Sequence, residues 1–285
     1  MGEVGPGPRI HALLDQIGLR YTAEEGDGGP RALFRFALEG GAEPVSFVAR
    51  LREPTVRVSA DRVIAAPSSN ETLQRLNDLN LSWSLGGVWH DPWSGYIGLA
   101  TTAYVGLETH AGHAVRKAIT AARDAAQWLR TEWPRGGDAE GFMEAQLRRV
   151  PAPEVEGVVD SLRWALDQSG VEVEASSEGR PLVVEIGSGT RVEVAWERER
   201  LVVVRATPDV TCAVEAETRT LSALQELNRS AFAGAVALTG DSGRVHWQLG
   251  MPLMWTGIDV PLAQWTVHVA NREANRIARA LWTPG

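Results

Sequence analysis

Cysteine is nearly absent. Cys212 stands alone in 285 residues, so no disulfide can close within the chain and no cysteine cluster can hold a metal. Lysine is as scarce: Lys117 is the sole one, and arginine fills every other basic position, a bias that fits a GC-rich bacterial gene more than a mechanism. Positive charge is the minority sign. The net charge of −8 argues against nucleic acid, whose phosphates need a cationic surface, and against docking on anionic membranes. No apolar run approaches the ~18 residues of a membrane span. The opening MGEVGPGPRI lacks an apolar stretch followed by a small-residue cleavage site, so a soluble, cytoplasmic protein is expected.

What is present is globular. Apolar residues make up 44% and charged residues 22%, enough to give each of two ordinary domains its own core. Tryptophan is abundant at 11, which turns attention to where each one lies.

The chain repeats itself. Leu73, Leu76, Leu79, Asn80 and Ser82 fall on Leu221, Leu224, Leu227, Asn228 and Ser230, a shift of 221 − 73 = 148. The same shift lays Gly86, Val88 and Ser94-Gly95 on Gly234, Val236 and Ser242-Gly243, then Ala122 and Ala126 on Ala270 and Ala274. Near the start, Leu14 to Leu19 matches Leu166 to Val171 at a shift of 152. A register held through a helix, a hairpin and another helix points to two tandem α+β domains. They are assigned to residues 1–135 and 156–285, with 136–155 as a linker carrying a short helix around Phe142, Met143 and Leu147.

Each half reads alike. An opening helix ends at glycine, Gly18 or Gly170. Strands with period-two patterning follow: Ala32, Phe34 and Phe36, then Val45, Phe47, Ala49 and Leu51, then Val56 and Val58; in the second half Leu182, Val184 and Ile186, then Val192, Val194 and Trp196, then 200–205. A short helix ends in Leu-Asn, a hairpin turns at Ser-Gly, and a long amphipathic helix closes the unit. In the first half its stripe is Val115, Ile119, Ala122, Ala126, Leu129 and Trp133.

That order of elements, with the Leu-x-x-Leu-Asn stretches Leu76 to Asn80 and Leu224 to Asn228, resembles the superfamily of YbjN proteins and type III secretion chaperones. The resemblance implies small α/β units that pair as dimers and hold extended client peptides. Two copies in one chain would then form a monomeric pseudo-dimer.

Placing a two-residue turn at Ser242-Gly243 sets Asp241 opposite Arg244 and Leu238 opposite Trp247. Ala231, Ala233, Ala235 and Ala237 then share an outer, solvent face with Arg244, His246 and Gln248. Shifted by 148, that face becomes Trp83, Leu85, Gly87 and Trp89 against Tyr96, Gly98 and Ala100, with Trp93 in the turn. Two fates suit such an aromatic face. It can bind a partner, with Trp83, Trp89, Trp93 and Tyr96 as contacts, or it can be covered by the linker helix or the other half. Trp255, in a later loop, is a further candidate contact, whereas Trp265 reads as half-buried.

No catalytic or metal site is expected. Glu108, His110 and His113 lack metalloprotease spacing. His90-Asp91 reads as solvated turn surface, Cys212 as a buried small residue, and Gly187-Ser188-Gly189 joins two strands, not a strand and a helix. The expectation is therefore a cofactor-free binder of a protein or peptide client, with strand addition at a sheet edge as one mode. The alternative is a structural or regulatory subunit of a larger complex.

Overall fold

The computed structural model describes residues 6–26, 29–52, 54–83, 85–106, 111–147, 163–168, 173–175, 182–186, 190–197, 201–208, 217–239, 243–252 and 260–281. Cys212, Trp255, Glu108, His110 and 187–189 lie outside them.

Helix α1 (Pro6–Gln16) stops where the sequence places a glycine. Gly18 adopts φ 71°, its N–H donates to Asp15 O, and the next N–H, of Leu19, reaches back to Leu14 O. This closes the last turn and turns Leu19 onto the same core as Leu14. Strands β1 (Thr22–Gly26), β2 (Gly29–Phe36), β3 (Val45–Arg52) and β4 (Thr55–Ala65) follow as an antiparallel meander. Their alternating apolar residues, from Ala32 and Phe34 through Phe47 and Ala49 to Val56 and Val58, are all buried in one core.

Helix α2 (Asn70–Ser82) begins at Ser69, whose hydroxyl accepts the N–H of Thr72 at 3.1 Å. Strands β5 (Gly86–Asp91) and β6 (Tyr96–Tyr104) form the hairpin, and α3 (Ala111–Thr131) lays Val115, Ile119, Ala122, Ala126 and Leu129 on the sheet. A 3-10 turn, Trp133–Arg135, leads to α4 (Ala139–Leu147). In the second half, α5 covers 163–168. Strands β7 (Glu174–Ala175), β8 (Leu182–Ile186), β9 (Thr190–Glu197) and β10 (Leu201–Thr207) precede α6 (Glu217–Ser230), then β11 (Ala235–Thr239), β12 (Arg244–Pro252) and α7 (Val260–Leu281).

Both halves are α+β with antiparallel sheets. The first sheet runs β1-β2-β3-β4-β6-β5 and the second, from its far edge, β7-β8-β9-β10-β12-β11. Strand for strand, the two orders are the same.

The hairpin turns differ from the expected ones. Thr239, not Asp241, lies opposite Arg244, and in the first half Asp91 lies opposite Tyr96. Each loop is longer by one pair. Because the displacement is two residues, every side chain keeps its face. Gly86 begins β5 and Gly234 stands just before β11; a Cβ on either would strike the carbonyl oxygen of Ala100 or Gln248, themselves 148 apart. Among the described residues no helix is long and apolar enough to cross a membrane.

Candidate functional site

The asparagine that ends each Leu-Asn stretch is a backbone clamp. Asn80 Oδ1 accepts the N–H of Val88 at 2.8 Å and its Nδ2 donates to Val88 O at 2.9 Å. Asn228 holds Val236 in the same way, at 2.7 and 2.9 Å. One turn earlier on each helix a second amide crosses to the other half. Asn77 accepts from Leu238 N and donates to Leu238 O, both at 2.8 Å. Gln225, its counterpart at 77 + 148, accepts the N–H of His90 at 3.0 Å, and His90 is the counterpart of Leu238. Residue i meeting j while j's counterpart meets i's is the signature of a two-fold contact. Near the axis, positions meet their own counterparts: Thr218 Oγ1 donates to Asn70 Oδ1 at 3.2 Å, and Gly87 lies against Ala235.

The consequence concerns the strand edges. Strands β5 and β11 are outermost in their sheets, and outer edges normally offer N–H and C=O groups to a further strand. Here side-chain amides take those of Val88 and Val236 and, from across the contact, those of Leu238 and the N–H of His90. Strand addition is blocked at both inner edges. The outer edges are a short β1 bearing Glu24 and Glu25 and the two-residue β7.

Helix ends are also satisfied across the contact. Gln248 Nε2 donates to Asn80 O and Leu81 O, and Arg57 Nη2 donates to Arg229 O at 2.8 Å. Leu81 and Arg229 correspond, yet different residues cap them.

The aromatic face is covered. Trp83 is fully buried, edge-on to Phe142 of α4 at 5.3 Å between ring centroids. Trp89 is also buried; its indole lies over Gly98, where a Cβ would approach to 2.6 Å, and the Arg57 guanidinium sits 5.6 Å from the ring. Neither offers a surface to a partner. The alanine face of the second hairpin is not a solvent face either: Ala231, Ala233, Ala235, Ala237, His246 and Gln248 are all buried, because the first half packs on them. His90 is likewise buried, its Nε2 3.0 Å from Ala66 O.

Trp93 differs. It is 92% exposed at the tip of a turn fixed by Asp91, which accepts from the N–H of Trp93 at 3.1 Å and the hydroxyl of Ser94 at 2.8 Å. Those bonds, that of Ser94 foremost, hold the Asp91 carboxyl below its usual range, and Arg229 of the other half lies 3.7 Å away. Tyr96 is half-buried beside the turn, 5.7 Å from the Arg62 guanidinium. Of the predicted contacts, the structure therefore keeps Trp93 and Tyr96 together at the surface. Trp164, 56% exposed on α5, was not singled out by sequence; Ala165 and Leu166 turn inward beside it. Trp265 is half-buried, as its position suggested, 5.2 Å from Tyr104 of the other half.

His246 is a titratable group buried in the second hairpin beneath this contact. Burial first, then the Arg205 guanidinium, lower His246 to about 4, while a hydrogen bond with Gln248 acts the other way. The folded state thus gives up its proton more readily than the unfolded chain, whose histidine titrates near 6.5. The contribution is complete above pH 6.5 and is lost as pH falls toward 4, at about 1.4 kcal/mol per unit and about 3 kcal/mol in all. Urea unfolding of wild type and His246→Gln at pH 7 and pH 4.5 reads it as a difference, since carboxylates titrate in both. A difference that does not change with pH would rule it out. Elsewhere, burial lowers Lys117 to about 8. Among the described residues no group of three or more His, Cys, Asp or Glu is placed to hold a metal.

No protein family profile matches the chain, and no curated protein does. Among solved structures it is similar to the crystal structure of YbjN from E. coli, described as a candidate transcription regulator. Identity is 17%, the match spans 47% of this chain and 99% of that one, and the TM-score is 0.36.

Proposed function

We propose that the chain is a non-catalytic adaptor of the chaperone kind, a tandem duplication folded as a single-chain pseudo-dimer that binds a protein or peptide client. The reciprocal amide bonds, Asn77 to Leu238 and Gln225 to His90, carry the pseudo-dimer part of this reading. They also redirect the binding mode. With both inner edges sealed by side chains, a client meets side-chain surface, and the most exposed large apolar group among the described residues is Trp93. Its turn is held by hydrogen bonds at three consecutive points, Asp91 to Trp93, Ser94 and Gly95. A tryptophan on a preorganised turn costs little entropy to engage, which suits a binding anchor.

The test compares proteins from the native host retained by immobilised wild type and by Trp93→Ala. At least one partner should be lost, with an affinity reduction on the order of 30-fold, as anchor tryptophans give. The thermal midpoint should not move, because the side chain buries nothing. Equal retention of every partner by both proteins sinks the assignment. A partner that never dissociates on size exclusion points instead to a fixed subunit of a larger complex.

A further inference from the structure

The outer face of the first sheet carries a row of like charge. Arg31 lies directly opposite Arg50 on β3, and Arg50 directly opposite Arg57 on β4. Directly opposed like charges weaken a sheet, so a row of three requires an explanation. Glu24 neutralises Arg31 at 2.9 Å, and Arg57 is held by Arg229 O. Arg50 and the neighbouring, exposed Arg52 have no acidic partner among the described residues. Arg276 of α7 adds to the field, partly offset by Glu273 at 2.8 Å. The Arg57 guanidinium feels the crowding: burial first, then Arg52, with Arg50 and Arg276 adding and Asp61 opposing, lower it to about 10.

The other half shows what this place can hold. Arg57 pairs with Thr102 and Val203 pairs with Gly250, so Val203 is the counterpart of Arg57; Ala195, opposite Val203, is the counterpart of Arg50. Glu197 stands where Arg52 would be. Helix α4 packs on α2 and α3 of the first half, and its Met143 reaches across to Val203 of the second, beside Leu85. A segment of polypeptide thus covers the apolar version of the site. The version built on the first sheet is arginine-lined: Val203 becomes Arg57, and Trp128, which α4 packs on, becomes Arg276.

We propose that the Arg50, Arg52, Arg57 and Arg276 corner binds an acidic segment of a protein partner, placed as α4 is placed between Trp128 and Val203. This rests on the reading of the chain as a protein-binding module and assigns that reading a second, electrostatic contact. A polypeptide is favoured over nucleic acid because the corner is small, bounded by Glu24 and Glu273, and set in a chain of net charge −8.

The probe is a fluorescein-labelled glutamate-rich peptide of about ten residues, followed by anisotropy at low and physiological salt. Wild type should bind it saturably and more weakly as salt rises. Arg50→Glu with Arg52→Glu should weaken binding about tenfold or more, with the charge-neutral Arg50→Gln, Arg52→Gln pair between. Arg52 is exposed and Arg50 half-buried between like charges, so the unfolding midpoints of these variants should stay at wild type or rise slightly. Trp93→Ala should bind the probe as wild type does, which separates this corner from the anchor tested above. Absence of saturable binding, equal binding by the charge-reversed variant, or tighter binding of a single-stranded oligonucleotide would each overturn the proposal while leaving the Trp93 reading standing.

Discussion

Trp83→Ala lowers the unfolding free energy by about 3–5 kcal/mol, the range for removing a fully buried large aromatic. Trp83 is 0% exposed and packs edge-on against Phe142, which in turn lies 4.8 Å from the Trp128 ring. Deleting the indole therefore opens a void between the end of α2 and α4. The indole N–H has no hydrogen-bond partner, so the loss is one of packing. Trp83→Phe tests that point: it keeps the ring contact, removes an unpartnered donor, and should cost about 1 kcal/mol. Urea unfolding measures both. If Trp83→Ala unfolds at the wild-type midpoint while weakening partner binding, the indole is an open contact after all and the packing described here is wrong.

The second large effect separates two residues that occupy corresponding positions. Asn77→Ala leaves both the N–H and the C=O of Leu238 buried and unpaired, at about 2–4 kcal/mol. Gln225→Ala leaves only the His90 N–H, at about 1–2 kcal/mol, because the other end of Gln225 donates within its own helix to Leu221 O. The ordering is the prediction. Denaturant unfolding gives the magnitudes, and amide hydrogen exchange at Leu238 and His90 locates them. Equal losses, or an unchanged exchange rate at Leu238 in Asn77→Ala, would falsify the assignment of these amides as the clasp.

Much of this was legible in the sequence, and the reasons are local. The offset of 148 relates the two hairpins because the pairing itself is offset by it: Val88 faces Leu99 as Val236 faces Trp247. Gly18 ends α1 because the backbone there needs φ above zero. Strand faces survived an error in turn length, since side-chain direction has period two. Exposure was not legible. Alanines on β11 are compatible with water or with a neighbour, and only α2 of the other half, packed against that strand, decides it. Trp83 and Trp89 correctly marked where the halves diverge, but aromatics replace alanines there because α4 and the other half cover them. The pairing of Trp89 with Gly98 was a readable hint, since a large ring beside an absent Cβ indicates burial. The clamp roles of Asn77 and Gln225 had no sequence signal beyond their shared spacing, because both partners are backbone groups far along the chain.

The unequal caps have one more implication. Gln248 reaches the carbonyls at the end of α2, while Arg57 reaches the one at the end of α6. A lone first half facing a second copy of itself would offer Ala100 where Gln248 belongs, and Asn77 would meet His90 instead of Leu238. Each half is complementary to the other and not to a copy of itself. Two like halves from different molecules would lack one or other of these caps, whereas the covalent link supplies each half with its complement at any dilution.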